Sequence, residues 1–289
     1  MTSRVGGAAP GIVAITAVAG TGMAAVVATS VGLMPLYGEP AASLDGWRSA
    51  APDLAAGIGE SLLIAVPATL LAAVVGFGLA TLMLAGGRAA PVVHLTCLAV
   101  LAVPHLVGAT SVSLLLGDGG VAARLAAPAG AGWPALVGGP WPVATVLELA
   151  WKESAFVALV VLAAVAPGHR MRMQVAAGLG ARPTQRVLRV LLPTAAPALG
   201  AASLVTLVYA IGSYEVAWLL GRAVPEPLPV LAFRLFGSIE LTDRPAAAAA
   251  AVTGSALALC VAAPVLAALP RLRSLTRGDA WGAERGAAS

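Results

Sequence analysis

Charge is scarce in this chain. Asp, Glu, Lys and Arg together make up 10 % of its 289 residues, where a soluble domain carries about a quarter. So little charge cannot keep a surface wetted, which excludes an ordinary soluble fold and leaves a chain that crosses a membrane several times. Cysteine is nearly absent. Cys97 and Cys260 each lie inside an apolar stretch, which excludes a disulfide framework or a metal site and expects both as small buried hydrophobes. Catalytic signatures are missing too. There is no GxxxxGK phosphate loop, so any ATP must be bound by another chain. HExxH and GxSxG are also absent, and no intramembrane catalytic cluster of the kind an embedded enzyme needs is visible. Internal repeats, a soluble domain and a low-complexity tail are lacking. The isoelectric point near 9.7 invites a nucleic-acid reading, but the basic residues cluster at the ends of apolar segments, where membrane orientation accounts for them.

Long apolar runs are abundant. Hydrophobic residues make up 59 % of the chain, and mean hydropathy is +0.92. A span needs about 20 apolar residues to cross the hydrocarbon core. Six stretches meet that length: 11–36, 58–86, 91–116, 143–167, 195–221 and 246–269. The Pro and Gly residues inside several of them are tolerated where neighbouring helices satisfy the freed backbone. The expected fold is therefore an all-α integral membrane protein with six transmembrane helices. It forms one domain over 1–270, followed by a short polar tail, 271–289, expected to be loosely ordered. The first run follows a single Arg and has no small-residue cleavage site, so it is expected as a retained span rather than a signal peptide.

Six spans put both termini on one side, and Arg placement chooses the side. With a cytoplasmic N-terminus the inner segments hold Arg4, Arg88, Arg170, Arg172, Arg182, Arg186, Arg189, Arg271, Arg273, Arg277 and Arg285, against Asp279 and Glu284 among the acids. The outer segments 37–57, 117–142 and 222–245 mix Arg48, Arg124, Arg222, Arg234 and Arg244 with seven acids. Both termini and the 168–194 loop are thus expected in the cytoplasm. Trp47, Trp133 and Trp141 in the outer segments suit the headgroup interface, on short helices or ordered turns.

The loop's local chemistry is specific. Gln174, Val175 and Ala176 sit in a run of helix formers that reaches Leu179. Gly180 permits a left-handed backbone, and Pro183 suits the first turn of a second helix, where its missing N–H would be unpaired anyway. Val187, Leu188, Leu191 and Leu192 recur at helical spacing and give that helix an apolar face. Pro193 is expected to end it before the fifth span. The plain alternative is an ordinary amphipathic helix at the membrane surface.

Charges inside the spans are costly and usually face a bundle interior or water. Glu148 and Lys152, four apart with Glu153 beside them, are expected to form a helix ion pair, structural or in contact with a solute. Tyr214 and Glu215 follow Gly212 and Ser213 in the fifth span and are candidates for a pathway. The alternatives for Glu215 are snorkelling to the interface or pairing with Arg222. His94 and His105 have no accompanying ligand cluster and are expected as satisfied polar groups or packing residues rather than metal ligands.

The segment Gln174–Pro193, QVAAGLGARPTQRVLRVLLP, resembles the EAA loop of the permease subunits of binding-protein-dependent type I ABC importers. That pattern reads Glu-Ala-Ala, three residues, Gly, nine residues, Ile-x-Leu-Pro. Gly180, Leu192 and Pro193 match it, Val190 stands for Ile, and Gln174, Val175 and Ala176 stand where Glu, Ala and Ala are usual. WKESAFVALVVLAAVAP at Trp151–Pro167, GSYEVAWLLG at Gly212–Gly221 and LPVLAFRLFGS at Leu228–Ser238 extend the likeness over about 58–270. It is strongest to the subgroup importing polyamines, iron(III), sulfate, thiamine and phosphonates. The resemblance implies a multi-pass protein of the bacterial inner membrane that is not itself an enzyme. It further implies two ATP-binding subunits holding ATP and Mg, a second permease subunit and an extracytoplasmic substrate-binding protein, with coupling through 174–193. The altered acid at Gln174 favours a heterodimer, in which the partner loop keeps the Glu. A stand-alone secondary transporter or an intramembrane enzyme is the competing class.

Overall fold

The computed structural model describes residues 9–127 and 132–286, and among these every regular element is helical. Arg4 lies outside them. In chain order the helices are α1 (Ala9–Ser30), α2 (Asp45–Ala85), α3 (Ala89–Ala102), α4 (His105–Leu116), α5 (Val121–Ala126), α6 (Val143–Val165), α7 (His169–Gly178), α8 (Pro183–Arg186), a π-helical turn Val187–Leu191, α9 (Leu192–Gly212), α10 (Glu215–Leu220), α11 (Leu228–Phe236), a 3-10 turn Leu241–Asp243 and α12 (Arg244–Gly286). Among the described residues five helices are long and apolar enough to cross a membrane, and α6, which meets α7 at a bend of 74°, makes a sixth. None of the apolar window of α1 is buried within the chain. A helix apolar on every side and bare of protein requires lipid around it.

Several boundaries differ from the sequence expectation, each for a backbone reason. The third span, 91–116, is broken at Val103–Pro104: Val103 is extended (φ −74°, ψ 124°) and α4 starts afresh at His105. Proline disfavours helical backbone in the residue before it and offers no N–H to the turn behind it. The fifth span breaks at Ser213 (φ −70°, ψ 117°), which separates α9 from α10. Pro193 does not end a helix. It sits in the first turn of α9, directly after the π turn. A wider turn with Leu192 N–H bonded to Val187 O absorbs the proline that a regular helix would reject. At the other end of the chain the backbone is helical through Gly286 rather than loose. Cys97 is buried as expected, but Cys260 is exposed on α12.

The chain forms two compact units. One comprises the chain up to Glu60 with Pro225–Leu257; the other comprises Ser61–Val224 with the chain from Ala258. The core of the first joins Ala50 and Leu54 of α2 to Leu228 and Leu231 of α11 and Ala246, Ala249 and Ala250 of α12. Alanines and Gly46, whose missing Cβ would lie 2.7 Å from Pro245 Cβ, let these helices close without a bulky side chain between them. In the second unit α6 is central. Val157, Val161 and Val165 pack on Ala80, Leu191, Ala195 and Ala202, while Ala155 and Ala158 pack on Met83 and Cys97. Gly76 lies so near α6 that a Cβ would stand 2.7 Å from Val157 Cβ.

Candidate functional site

Two arrangements in the second unit bring polar chemistry together. The first is the segment that leaves α6. Gly168 turns the chain with φ +73°, and Arg172 Nη2 donates back to Val165 O and Pro167 O, both at 3.0 Å. A cation on the last carbonyls of a helix satisfies acceptors that have no intrahelical donor. Helix α7 then closes on Gly180. Gly180 N–H donates to Ala177 O (2.9 Å) and Ala181 N–H to Ala176 O (3.0 Å), with Gly180 at φ +81°. This is a Schellman closure with glycine in the left-handed position. Arg182 follows, extended, with its N–H bonded to Gln185 Oε1 at 2.9 Å, and Pro183 opens α8. The expected helix–turn–helix around Gly180 is thus present.

Its apolar face is distributed differently from expectation. Val187 and Leu191 turn into the chain's own core, so they are not free for a partner, whereas Leu188 remains 59 % exposed. The unpartnered apolar stripe lies instead on α7, where Met171, Val175 and Leu179, four apart, are 67 %, 59 % and 83 % exposed. Between α7 and the π turn a groove of about 560 Å³ is lined by Leu84, His169, Met173, Gln174, Pro183 and Arg186. Burial, and then the nearby Arg172 guanidinium, push the His169 imidazole below its usual pKa. Arg186 Nε is buried and donates no hydrogen bond.

The second arrangement lies where the third span breaks. Lys152, the single lysine of the chain, is 3 % exposed. Its Nζ donates to Val100 O at 3.0 Å and to Val103 O. Val100 O also accepts the Val103 N–H at 3.2 Å, whereas the break before Pro104 leaves Val103 O without a backbone donor. The expected Glu148–Lys152 ion pair is therefore replaced: apolar surroundings make the carbonyls at the break the more demanding partners. Glu148 faces His105 instead, with Oε1 3.5 Å from Nδ1, and Glu153 Oε1 is 3.4 Å from His105 Nε2. Thr206 Oγ1 donates to Glu153 Oε2 at 3.3 Å, and the Tyr209 ring centroid is 4.8 Å from that of His105. Gly108 makes room for the group, since a Cβ there would be 2.7 Å from Glu148 Oε1. Helices α4, α6 and α9 thus converge on an imidazole held between two carboxylates.

Of the candidates read from the sequence, Glu148 and Lys152 belong to this cluster through partners other than each other. Tyr214 stacks on Trp218 at 6.2 Å. Glu215 opens α10 within electrostatic reach of the Tyr209 hydroxyl. Arg222 Nη1 donates to Pro140 O at 2.8 Å. His105, Tyr209 and Thr206 were not legible as site residues. The one sequence cue was that a histidine directly after a proline, inside an apolar run, needs a polar partner. No group of three or more His, Cys, Asp or Glu among the described residues is arranged to hold a metal.

No known family's sequence profile matches the chain. It is similar to the Escherichia coli (strain K12) inner membrane ABC transporter permease protein YnjC, with 30 % identity over 246 residues, 83 % of this chain and 46 % of the relative. The chain therefore spans about half the length of the curated relative it matches. Among solved structures it is similar to a chain of a bacterial alginate ABC transporter in complex with an alginate pentasaccharide-bound periplasmic protein. The TM-score is 0.73 at 17 % identity, over 93 % of this chain and 94 % of that one. A structure of a bacterial ABC transporter involved in import of the acidic polysaccharide alginate gives a TM-score of 0.71 at 18 % identity, over 91 % and 93 %. The chain shares its fold with a chain of each of these two transporter structures.

Proposed function

We propose that this chain is the permease subunit of a binding-protein-dependent ABC importer in the bacterial inner membrane. The observation that carries this reading is the Gly180 turn with the exposed α7 stripe, on a fold shared with ABC transporter membrane subunits. The chain contributes a path for solute and no ATP chemistry. ATP and Mg belong to two partner ATPases, the second half of the path to another permease chain, and solute delivery to an extracytoplasmic binding protein. Closure of the ATPases moves the 168–194 loop, and the stiff connection through Arg172 and Gly168 passes that motion into α6. A membrane that alternates its open side follows from such a lever. The heterodimer remains the favoured assembly, because Gln174 lines the groove without a charge.

The distribution of Arg supports cytoplasmic termini and a cytoplasmic loop. A topology reporter fused after Gly180 and one inserted within 117–142 are expected on opposite sides of the membrane. Reporters on the same side would break the six-span arrangement.

The loop from 168 to 194 holds Arg170, Arg172, Arg182, Arg186 and Arg189 and no acid. Arg172 is committed to capping α6. The remaining cations fit an acidic ATPase groove, and charge pairs at an exposed rim are screened by salt. Retention of the ATPase on the purified permease is expected to fall as salt is raised, and more steeply for wild type than for Arg186→Gln. Salt-independent retention would remove the charged groove from the account.

The Gly180 position separates turn geometry from packing. A Cβ there would meet nothing within 4 Å, so the penalty of Gly180→Val is purely that of left-handed backbone, about 1–2 kcal/mol. Insertion and abundance are expected to be unchanged, with ATPase-coupled transport lost. Gly180→Asn, which tolerates that backbone, is expected to keep most of the transport rate. Equal transport by the Val variant would show that the turn is not used in coupling.

A further inference from the structure

We propose that the groove between α7 and the π turn binds the phosphate of an anionic phospholipid from the adjoining leaflet of the membrane. The site goes beyond the importer reading, since it needs a membrane-crossing chain and no ATPase. Charge is the first support. Arg170 and Arg186 both line the groove, and no Asp or Glu is among its described lining residues. The whole 168–194 loop offers them no acid either. Cations beside apolar walls are costly without a counter-charge, so the groove calls for an anion. Unmet hydrogen bonding is a second, independent support. His169 is 9 % exposed, and its Nδ1 is buried with no hydrogen-bond partner, as is Arg186 Nε. Both residues line the groove. Buried polar atoms are nearly always paired. One phosphate oxygen would accept from Arg186 Nε–H and another from His169 in its Nδ1–H tautomer.

Position and shape select a lipid over a free ion. Leu84 and Ala85 line the groove and are the last residues of α2, a helix long and apolar enough to cross the membrane. The groove therefore lies at headgroup depth. Leu84, Met173 and Leu191 give it an apolar wall, from which a hydrated phosphate ion gains nothing and which a glycerol backbone or upper acyl chain covers. The volume of about 560 Å³ is many times the roughly 30 Å³ of one water, so a headgroup fits. Basic pockets at the ends of membrane helices hold anionic headgroups in this way. A phosphodiester brings one negative charge to two arginines. The groove thus stays net positive, and the salt-dependent ATPase association expected above persists.

The test titrates the full chain in dodecyl maltoside with short-chain phosphatidylglycerol and reads its unfolding temperature. Short-chain phosphatidylcholine, which has the same phosphate but no net charge, and inorganic phosphate are the comparisons. Phosphatidylglycerol is expected to stabilise the wild type in a saturable way, and the other two are not. Arg186→Gln and Arg170→Gln are each expected to raise the half-saturating concentration at least about tenfold, the loss of a charge-assisted hydrogen bond. Arg88→Gln removes the same charge from an exposed position after α2 that does not line the groove, and is expected to leave it unchanged. If Arg186→Gln does not fold, the exposed Arg170→Gln decides. No saturable effect of phosphatidylglycerol on the wild type would overturn the site. So would an equal effect of phosphatidylcholine or inorganic phosphate, or a shift in Arg88→Gln as large as in the groove variants. Permease that retains its ATPase is expected to titrate alike; loss of the lipid effect there would assign the groove to the ATPase and overturn the proposal. Failure to retain any ATPase bears on the importer reading alone.

Discussion

Val175→Asp combined with Leu179→Asp is expected to abolish ATPase association while leaving the permease folded and inserted. Both side chains stand on the exposed stripe of α7, at 59 % and 83 % exposure, and neither belongs to the clusters that hold α2, α6 and α9 together. A helix laid into a partner's groove binds through such a stripe. Burying one large apolar side chain contributes about 1.5–3 kcal/mol, so two replaced by charges weaken association by at least about a hundredfold. Leu188→Asp tests the adjoining turn. It is exposed as well, but it stands alone there, because Val187 and Leu191 face inward, and a smaller loss is expected. The measurement is retention of the ATPase on purified permease and solute-stimulated hydrolysis in liposomes. Wild-type retention by the double variant would move the docking surface off α7.

Lys152→Met is expected to be the most destabilising single change in the second unit. The ammonium is nearly fully buried and donates at the break: Val103 O has no backbone donor, and Val100 O, which the N–H of residue 104 would reach in an unbroken helix, has only the Val103 N–H at 3.2 Å. Its removal leaves Val103 O without a donor among membrane helices and Val100 O with the Val103 N–H alone. Breaking a buried ionic arrangement by deleting one side costs about 3–5 kcal/mol, read as a lower unfolding temperature in detergent and lower abundance in the membrane. The cause can be isolated with a second change. Pro104→Ala restores the missing N–H, so the double variant is expected to be less destabilised than the two single losses added. Strict additivity, or a Met variant as stable as wild type, would show that Lys152 is not capping the break.

The sequence displayed the features that repeat along one helix or one turn. Apolar length marked the spans, and Gly180 and Pro183 marked the turn. It concealed whatever depends on residues far apart. Lys152 and Glu148 are four apart and read as a pair, yet the lysine's partners lie 52 and 49 residues away. Nothing in periodicity shows that the break at Pro104 leaves Val103 O without a backbone donor. His105 read only as a satisfied polar group or a packing residue, with no partner named, because its two acids sit on another helix. Val187 and Leu191 read as a docking face because their spacing is equally right for packing inward, and only the position of α6 decides. Pro193 read as a stop because a π turn, which hides its cost, leaves no mark of its own in composition.

The central claim is that the 168–194 loop couples this membrane chain to a separate ATPase. Its most direct measurement is site-directed cross-linking in native membranes from a cysteine placed at Leu179, followed by purification and ATP hydrolysis assay. The account expects a covalent adduct with a chain that carries a GxxxxGK phosphate loop, and hydrolysis that depends on delivered solute. A chain that forms no such adduct, purifies alone and moves solute through liposomes without ATP would contradict it.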